Sequence, residues 1–175
     1  YVKARKIPAV NVCHLRCSTE ETVPRHVFTR DIRDPIRQHL ISHGLTRSIS
    51  FIVTTMGVPL RVSSDPIIPP MAGVRTDASV DSELTLIGSD PPLNGPIPNP
   101  YLSRDEVFNS TQFGMYLVTR LDGPTVESAL TLIRDAVETE QNRSYSARGF
   151  ARLDLNPTPD PVSERLNAGI MANYK

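Results

Sequence analysis

The sequence predicts an α/β fold, a three-layer sandwich built on a mainly parallel sheet. Three observations carry this. Phe51-Ile52-Val53 is a short apolar, β-favouring run that suits a strand covered on both faces. Residues 125–140 place Val126, Ala129, Leu130, Ile133, Ala136 and Val137 on one helical stripe. Strand-like and helix-like segments alternate along the chain, which argues for right-handed βαβ units.

The first segment, 1–6, reads as the tail of a helix. Ile7-Pro8 opens a turn, and 11–15 reads as the first strand. Polar residues 18–22 form a loop. Pro24 then suits the first position of a helix. Phe28, Ile32, Ile36 and Leu40 recur every four residues and make its apolar stripe. Asp34-Pro35 interrupts that stripe. Either Asp34 caps a fresh helix, or Pro35 kinks one long helix. Gly44 ends it in both cases.

The central strand follows at 51–53. Thr54, Thr55, Met56 and Gly57 come at its carboxyl end, where an open α/β sheet places its crevice. Pro59 lacks an amide donor and ends pairing there. A proline-rich loop, 63–76, leads to a short helix at 77–87 with Val80, Leu84 and Ile87 on one face. A second long loop, 89–111, packs Pro91, Pro92, Pro96, Pro98 and Pro100 together. Loops beyond about 12–15 residues in a compact domain are usually functional or disordered, and proline favours the ordered kind. A strand at 115–119, the turn Arg120-Leu121-Asp122-Gly123-Pro124 and the 125–140 helix come next. A last strand is expected at 150–155.

Composition excludes some roles. The 175 residues carry 19 Lys plus Arg and 19 Asp plus Glu, a net charge of zero. That argues against binding nucleic acid or a membrane surface through bulk charge. No apolar run approaches the roughly 20 residues of a membrane span. The start at Tyr1 and the segment 163–175, which reads as a helix cut short, suggest a single domain 1–175 truncated at both ends. On an extended strand the Cα atoms of Cys13 and Cys17 would stand about 13 Å apart. A disulfide needs less than about 7 Å, so two thiols are expected.

Several groups have the chemistry of a site. Asp77, Asp81 and Glu83 suit metal binding or acid–base work. On a helix Asp81 and Glu83 diverge by roughly 200°, so they cannot chelate one ion together. Asp77 or Ser79 also suits a helix cap. Arg120 could fork onto a carboxylate or phosphate of a ligand, or pair with Asp81 or Asp122 to tie loops together. Thr54 and Thr55 would line the crevice, since a threonine without a base is a poor nucleophile. His39 and His43 have metal spacing but lack the glutamate of a zinc-protease motif. Cys13 and Cys17 would face away from His14 on a strand. Neither phosphate-binding glycine motif occurs, and no cofactor is expected. Asn109-Ser110-Thr111 fits a glycosylation acceptor.

Five blocks carry a resemblance. They are Tyr1–Val12, Ile52–Val62, Ala78–Leu84, Asn99-Pro100-Tyr101 and Met115–Thr125. In order and content they resemble an uncharacterised bacterial family from species with exosortase and PEP-CTERM protein sorting. The resemblance implies a longer chain at both ends and a place in the cell envelope or periplasm. A more remote similarity links 116–140 to the gingipain branch of the caspase-like peptidases, which with a flavodoxin-like sheet are the two architectures considered. The catalytic histidine and cysteine of that branch have no counterpart at Thr54–Gly57 or Arg120–Asp122.

The expected crevice is lined by Thr54, Thr55, Asp77, Asp81, Glu83, Arg120 and Asp122. Two functions fit it. One is a hydrolase-like or peptidase-like domain, degenerate or active, working on protein or surface polymer. The other is a non-catalytic binding or scaffold domain. Catalysis needs those groups to converge on a cavity; a scaffold needs only paired loops and an apolar patch.

Overall fold

The computed structural model describes residues 1–64, 77–89 and 97–141. The chain divides into two compact units, Tyr1–Val137 and Glu138–Lys175. The described residues belong to the first, apart from the last turn of the final helix. The fold is mixed α/β with small sheets. Its elements are β1 (Thr22–Pro24), α1 (Arg25–Phe28), a π-helical turn (Thr29–Arg33), α2 (Asp34–Ser42), β2 (Phe51–Thr55), β3 (Arg61–Ser63), β4 (Ala78–Ser79), α3 (Val80–Thr85), α4 (Ser110–Phe113), β5 (Leu117–Leu121) and α5 (Val126–Gln141).

Phe28, Ile32, Ile36 and Leu40 are all buried, as the four-residue spacing predicts. At Pro35 no fresh helix starts on an Asp34 cap. The backbone stays helical through Arg33 and Asp34, and the turn before Pro35 widens to π geometry. A proline ring clashes with the carbonyl four residues back and offers it no donor. A wider turn moves that carbonyl away and keeps the stripe continuous. At the far end Leu45 N–H donates to Leu40 O at 2.8 Å and Gly44 N–H to Ile41 O at 3.1 Å, with Gly44 at φ +66°. This is a Schellman stop, and Leu45 folds back into the core beside Leu40. The same pair of bonds closes the turn at Tyr1–Lys6: Ile7 N–H to Val2 O and Lys6 N–H to Lys3 O, with Lys6 at φ +52°.

The described strands form two sheets. β1 runs parallel to β3, which pairs antiparallel with β4. β2 runs parallel to β5 in the register Phe51–Leu117 to Thr55–Leu121. The expected strand at 11–15 is not a strand. Ala9–Asn11 is a 3₁₀ turn, and the following chain has no ladder partner among the described residues. Its alternation is nevertheless meaningful: Cys13, Leu15 and Cys17 pack on the core while His14 and Arg16 face outward. The segment covers the helix instead of joining a sheet. β1 and β3 were not legible, because three residues are too few to set a period. Pairing of β2 with β5 ends at Thr55, before Pro59, and β3 begins two residues after the proline in the other sheet.

β2 is not buried on both faces. Ile52 packs on the core and Thr54 is buried, but Phe51 is 62% exposed. Strand residues alternate between faces, and only one face of β2 is covered. α3 is shorter than expected because 78–79 belong to β4; Ser79 caps it, accepting from Ser82 N–H at 3.0 Å. Val80, Leu84 and Ile87 are buried as expected. β5 starts two residues later than expected, so Arg120 lies within the strand and not in the turn after it. α5 falls where the pattern places it, but its stripe is largely open. Ala129 is buried, whereas Leu130 is 56% exposed. The expected strand at 150–155, the helix at 163–175 and most of both proline-rich stretches lie outside the described residues.

The described part of the second loop is held by side chains. Tyr101 packs edge-on against Phe108 and Phe113 and donates its hydroxyl to Glu106 O at 2.7 Å. Asn109 caps α4, accepting from the amides of Thr111 and Gln112. Ser110 donates to Ile49 O at 2.8 Å and fastens this loop to the start of β2.

Burial separates two apolar helices by their cost. Phe28→Ala should lower the unfolding free energy by about 3–5 kcal/mol in urea titration, as for a fully buried aromatic. Leu130→Ala should change it by about 0.5 kcal/mol or less. Equal losses would contradict the burial described here.

Candidate functional site

β2 and β5 face each other in register, so Thr54 and Arg120 stand side by side on the covered face. The first turn of α3 brings Asp81 beneath them. Arg120 forks onto Asp81, Nε to Oδ2 at 2.9 Å and Nη2 to Oδ1 at 2.7 Å. Its Nη1 donates to Val58 O at 2.7 Å and Nη2 also to Pro59 O at 3.0 Å. Asp122 lies 3.9 Å from Nη1. The Arg120 side chain is 12% exposed. Its fork is occupied by the protein itself, by a carboxylate and by two carbonyls that proline at 59 leaves without a ladder.

Thr54 Oγ1 donates to Asp81 Oδ1 at 3.2 Å, with Thr119 O at 3.4 Å as the alternative acceptor. A hydroxyl aimed at a carboxylate already shared with arginine is held as a structural donor. Asp122 accepts from Gly123 N–H at 2.8 Å and shapes the turn after β5. Thr54, Asp81, Arg120 and Asp122 thus form one cluster.

The other candidates lie elsewhere. Glu83 diverges from Asp81, as helical geometry requires. It pairs with Arg25 at 2.9 Å, both side chains being largely buried. Arg25 was missed by sequence reasoning; its one signal was a cation directly after Pro24 at a helix start. Asp77 accepts from the amide and hydroxyl of Ser64 at 2.8 and 3.0 Å and anchors the chain at the end of β3. Thr55 points to the opposite face of β2 and is exposed.

Thr55 borders an apolar cleft of about 420 Å³ at the carboxyl ends of β2 and β5. Met56 and Leu121 form its floor with Thr55. The turn at Tyr1–Lys3 and the α5 residues Val126, Ala129, Leu130 and Ile133 form its walls. Lys3 is its one charged side chain among the described lining residues. None of the seven crevice candidates except Thr55 lines it.

His39 and His43 stack with ring centroids 4.3 Å apart. His39 Nε2 lies 2.9 Å from Val10 O, and His43 Nδ1 lies 2.9 Å from His39 O. A carbonyl only accepts, so each of those nitrogens carries its proton. The pair ties the amino-terminal segment to α2. Among the described residues no three metal-ligating side chains gather, and no helix is long and apolar enough to cross a membrane. Cys13 and Cys17 are both free thiols.

Comparison of the chain with protein-family models, curated proteins and solved structures found no match.

Burial raises the pKa of Cys13. It raises that of Cys17 as well, helped by the negative charge of Asp31 and opposed by a backbone hydrogen bond. Only the thiolate alkylates, so both should react with iodoacetamide more slowly than a free cysteine at about pH 8. Their rates should still climb where a free thiol has levelled off. Reaction as fast as a free thiol would contradict the packing of this segment.

Proposed function

We propose that this is a non-catalytic binding domain of the cell envelope, gripping an apolar partner segment in the cleft at the ends of β2 and β5. One observation carries the reading. The polar groups that hydrolysis would need are bonded to one another, while the open cleft beside them is apolar. A nucleophile needs a base, and a substrate needs a donor with capacity to spare. Thr54 is bonded to Asp81 and Thr119 O, and Arg120 is engaged by Asp81, Val58 and Pro59.

The parallel β2–β5 pair followed by α5 is compatible with a three-layer sandwich of flavodoxin-like or caspase-like type. The envelope assignment rests on the five sequence blocks alone. The hydrolase-like alternative rests on the same sheet geometry, without a nucleophile–base pair among the described residues to go with it.

Anilinonaphthalenesulfonate, an apolar dye, tests the cleft. Dilute native protein should enhance its fluorescence saturably. Leu130→Glu should weaken dye binding about tenfold while the thermal midpoint holds, since an exposed side chain contributes little to stability. No enhancement would overturn the binding reading. Hydrolysis of a peptide or ester panel by the native chain, lost in a folded Thr54→Val variant, would install the hydrolase reading in its place.

A further inference from the structure

Of the thirteen large apolar side chains exposed among the described residues, five gather in one place. Tyr1, Val2, Met56, Val126 and Leu130 are each at least 40% exposed, and all five line the same cleft. Clustering of this kind marks an interaction surface, whereas single exposed apolar residues need no explanation. The question is what chemistry covers it.

We propose that the occupant is a second copy of this chain, and that two α5 helices pack antiparallel across a two-fold axis. The inference rests on the binding reading above and names the partner for the same cleft. At 100° per residue Val126, Leu130, Ile133 and Val137 fall within about 60° of one another, a seam suited to helix–helix packing. Glu127 and Arg134 are seven apart, so they share one edge of that seam within about 20°. Both are exposed.

In an antiparallel two-fold pair, the same edge of each helix meets its own copy reversed. Residues equally distant from the axis then face each other. An axis between Leu130 and Thr131 sets Glu127 of one copy against Arg134 of the other, twice over. It also places the Leu130 side chains against each other at the centre. A parallel pair would set each edge against the opposite edge of its partner, and Glu127 and Arg134 of the two copies would not meet. With 19 positive and 19 negative side chains, two copies approach without net repulsion. The present neighbours of Arg134 hold it loosely: Thr131 Oγ1 at 3.5 Å and Asp135 at 3.7 Å.

Sedimentation equilibrium across a wide concentration range tests this. The mass should rise from one chain to two, and dye fluorescence per chain should fall in parallel as the cleft is covered. Leu130→Glu should weaken dimerisation about thirtyfold or more, as for a central interface residue. Glu127→Arg and Arg134→Glu should each weaken it about tenfold. The double variant should recover, and a mixture of the two single variants should associate. A chain that stays monomeric yet binds the dye would overturn the second-copy proposal and leave the binding reading intact. A monomer that does not bind the dye would remove both. Dimerisation indifferent to Leu130→Glu, or a double variant as weak as the singles, would overturn the antiparallel α5 pairing.

Discussion

Arg120 joins three parts of the chain that would otherwise only lie near one another. Its bidentate bond to Asp81 ties β5 to α3. Its bonds to Val58 and Pro59 satisfy two of the carbonyls between β2 and β3. A sheet of two strands leaves much of its backbone to be satisfied by other means, and buried carbonyls without donors are costly. The guanidinium supplies these donors at the point where the chain leaves one sheet for the other. Arg25 with Glu83 repeats the device on the other side of α3. A six-residue helix has little stability of its own. Its position therefore depends on the apolar face of Val80 and Leu84 below and on two arginines at its sides.

This clamp decides how the polar residues are read. A charged group can serve a ligand only with bonding capacity to spare, and here the charges are spent on the fold. The surface left available at the carboxyl ends of β2 and β5 is apolar. α5 contributes most of it, with only Ala129 buried on the helix. A wide apolar stripe left open on a regular helix is a liability for an isolated chain, and a docking partner removes it.

The sequence made some of this legible and left the rest dark for physical reasons. The Phe28–Leu40 stripe and the α3 face could be read because their period is long enough to stand out. Asp81 and Asp122 were the two partners open to Arg120, a cation and two carboxylates placed at loop ends. The three-residue strands β1 and β3 carry no period. β5 was placed two residues early because Met115 and Tyr116 are as apolar as the strand they precede. The pattern of α5 reveals which face is apolar but not whether anything covers it. That depends on contacts far away in the chain. The same limit applies to β2, whose β-favouring run is compatible with one covered face or two.

The claim that Arg120 and Asp81 hold the fold together is tested most directly by a double-mutant cycle in urea. Asp81→Ala should cost about 2–3 kcal/mol, and Arg120→Ala somewhat more, because it also strips two carbonyls of their donor. The double variant should lose less than the sum, with a coupling of about 2 kcal/mol. Additive losses, or losses near zero, would mean that the pair does not fasten the sheets, and the polar cluster would again be open to a ligand.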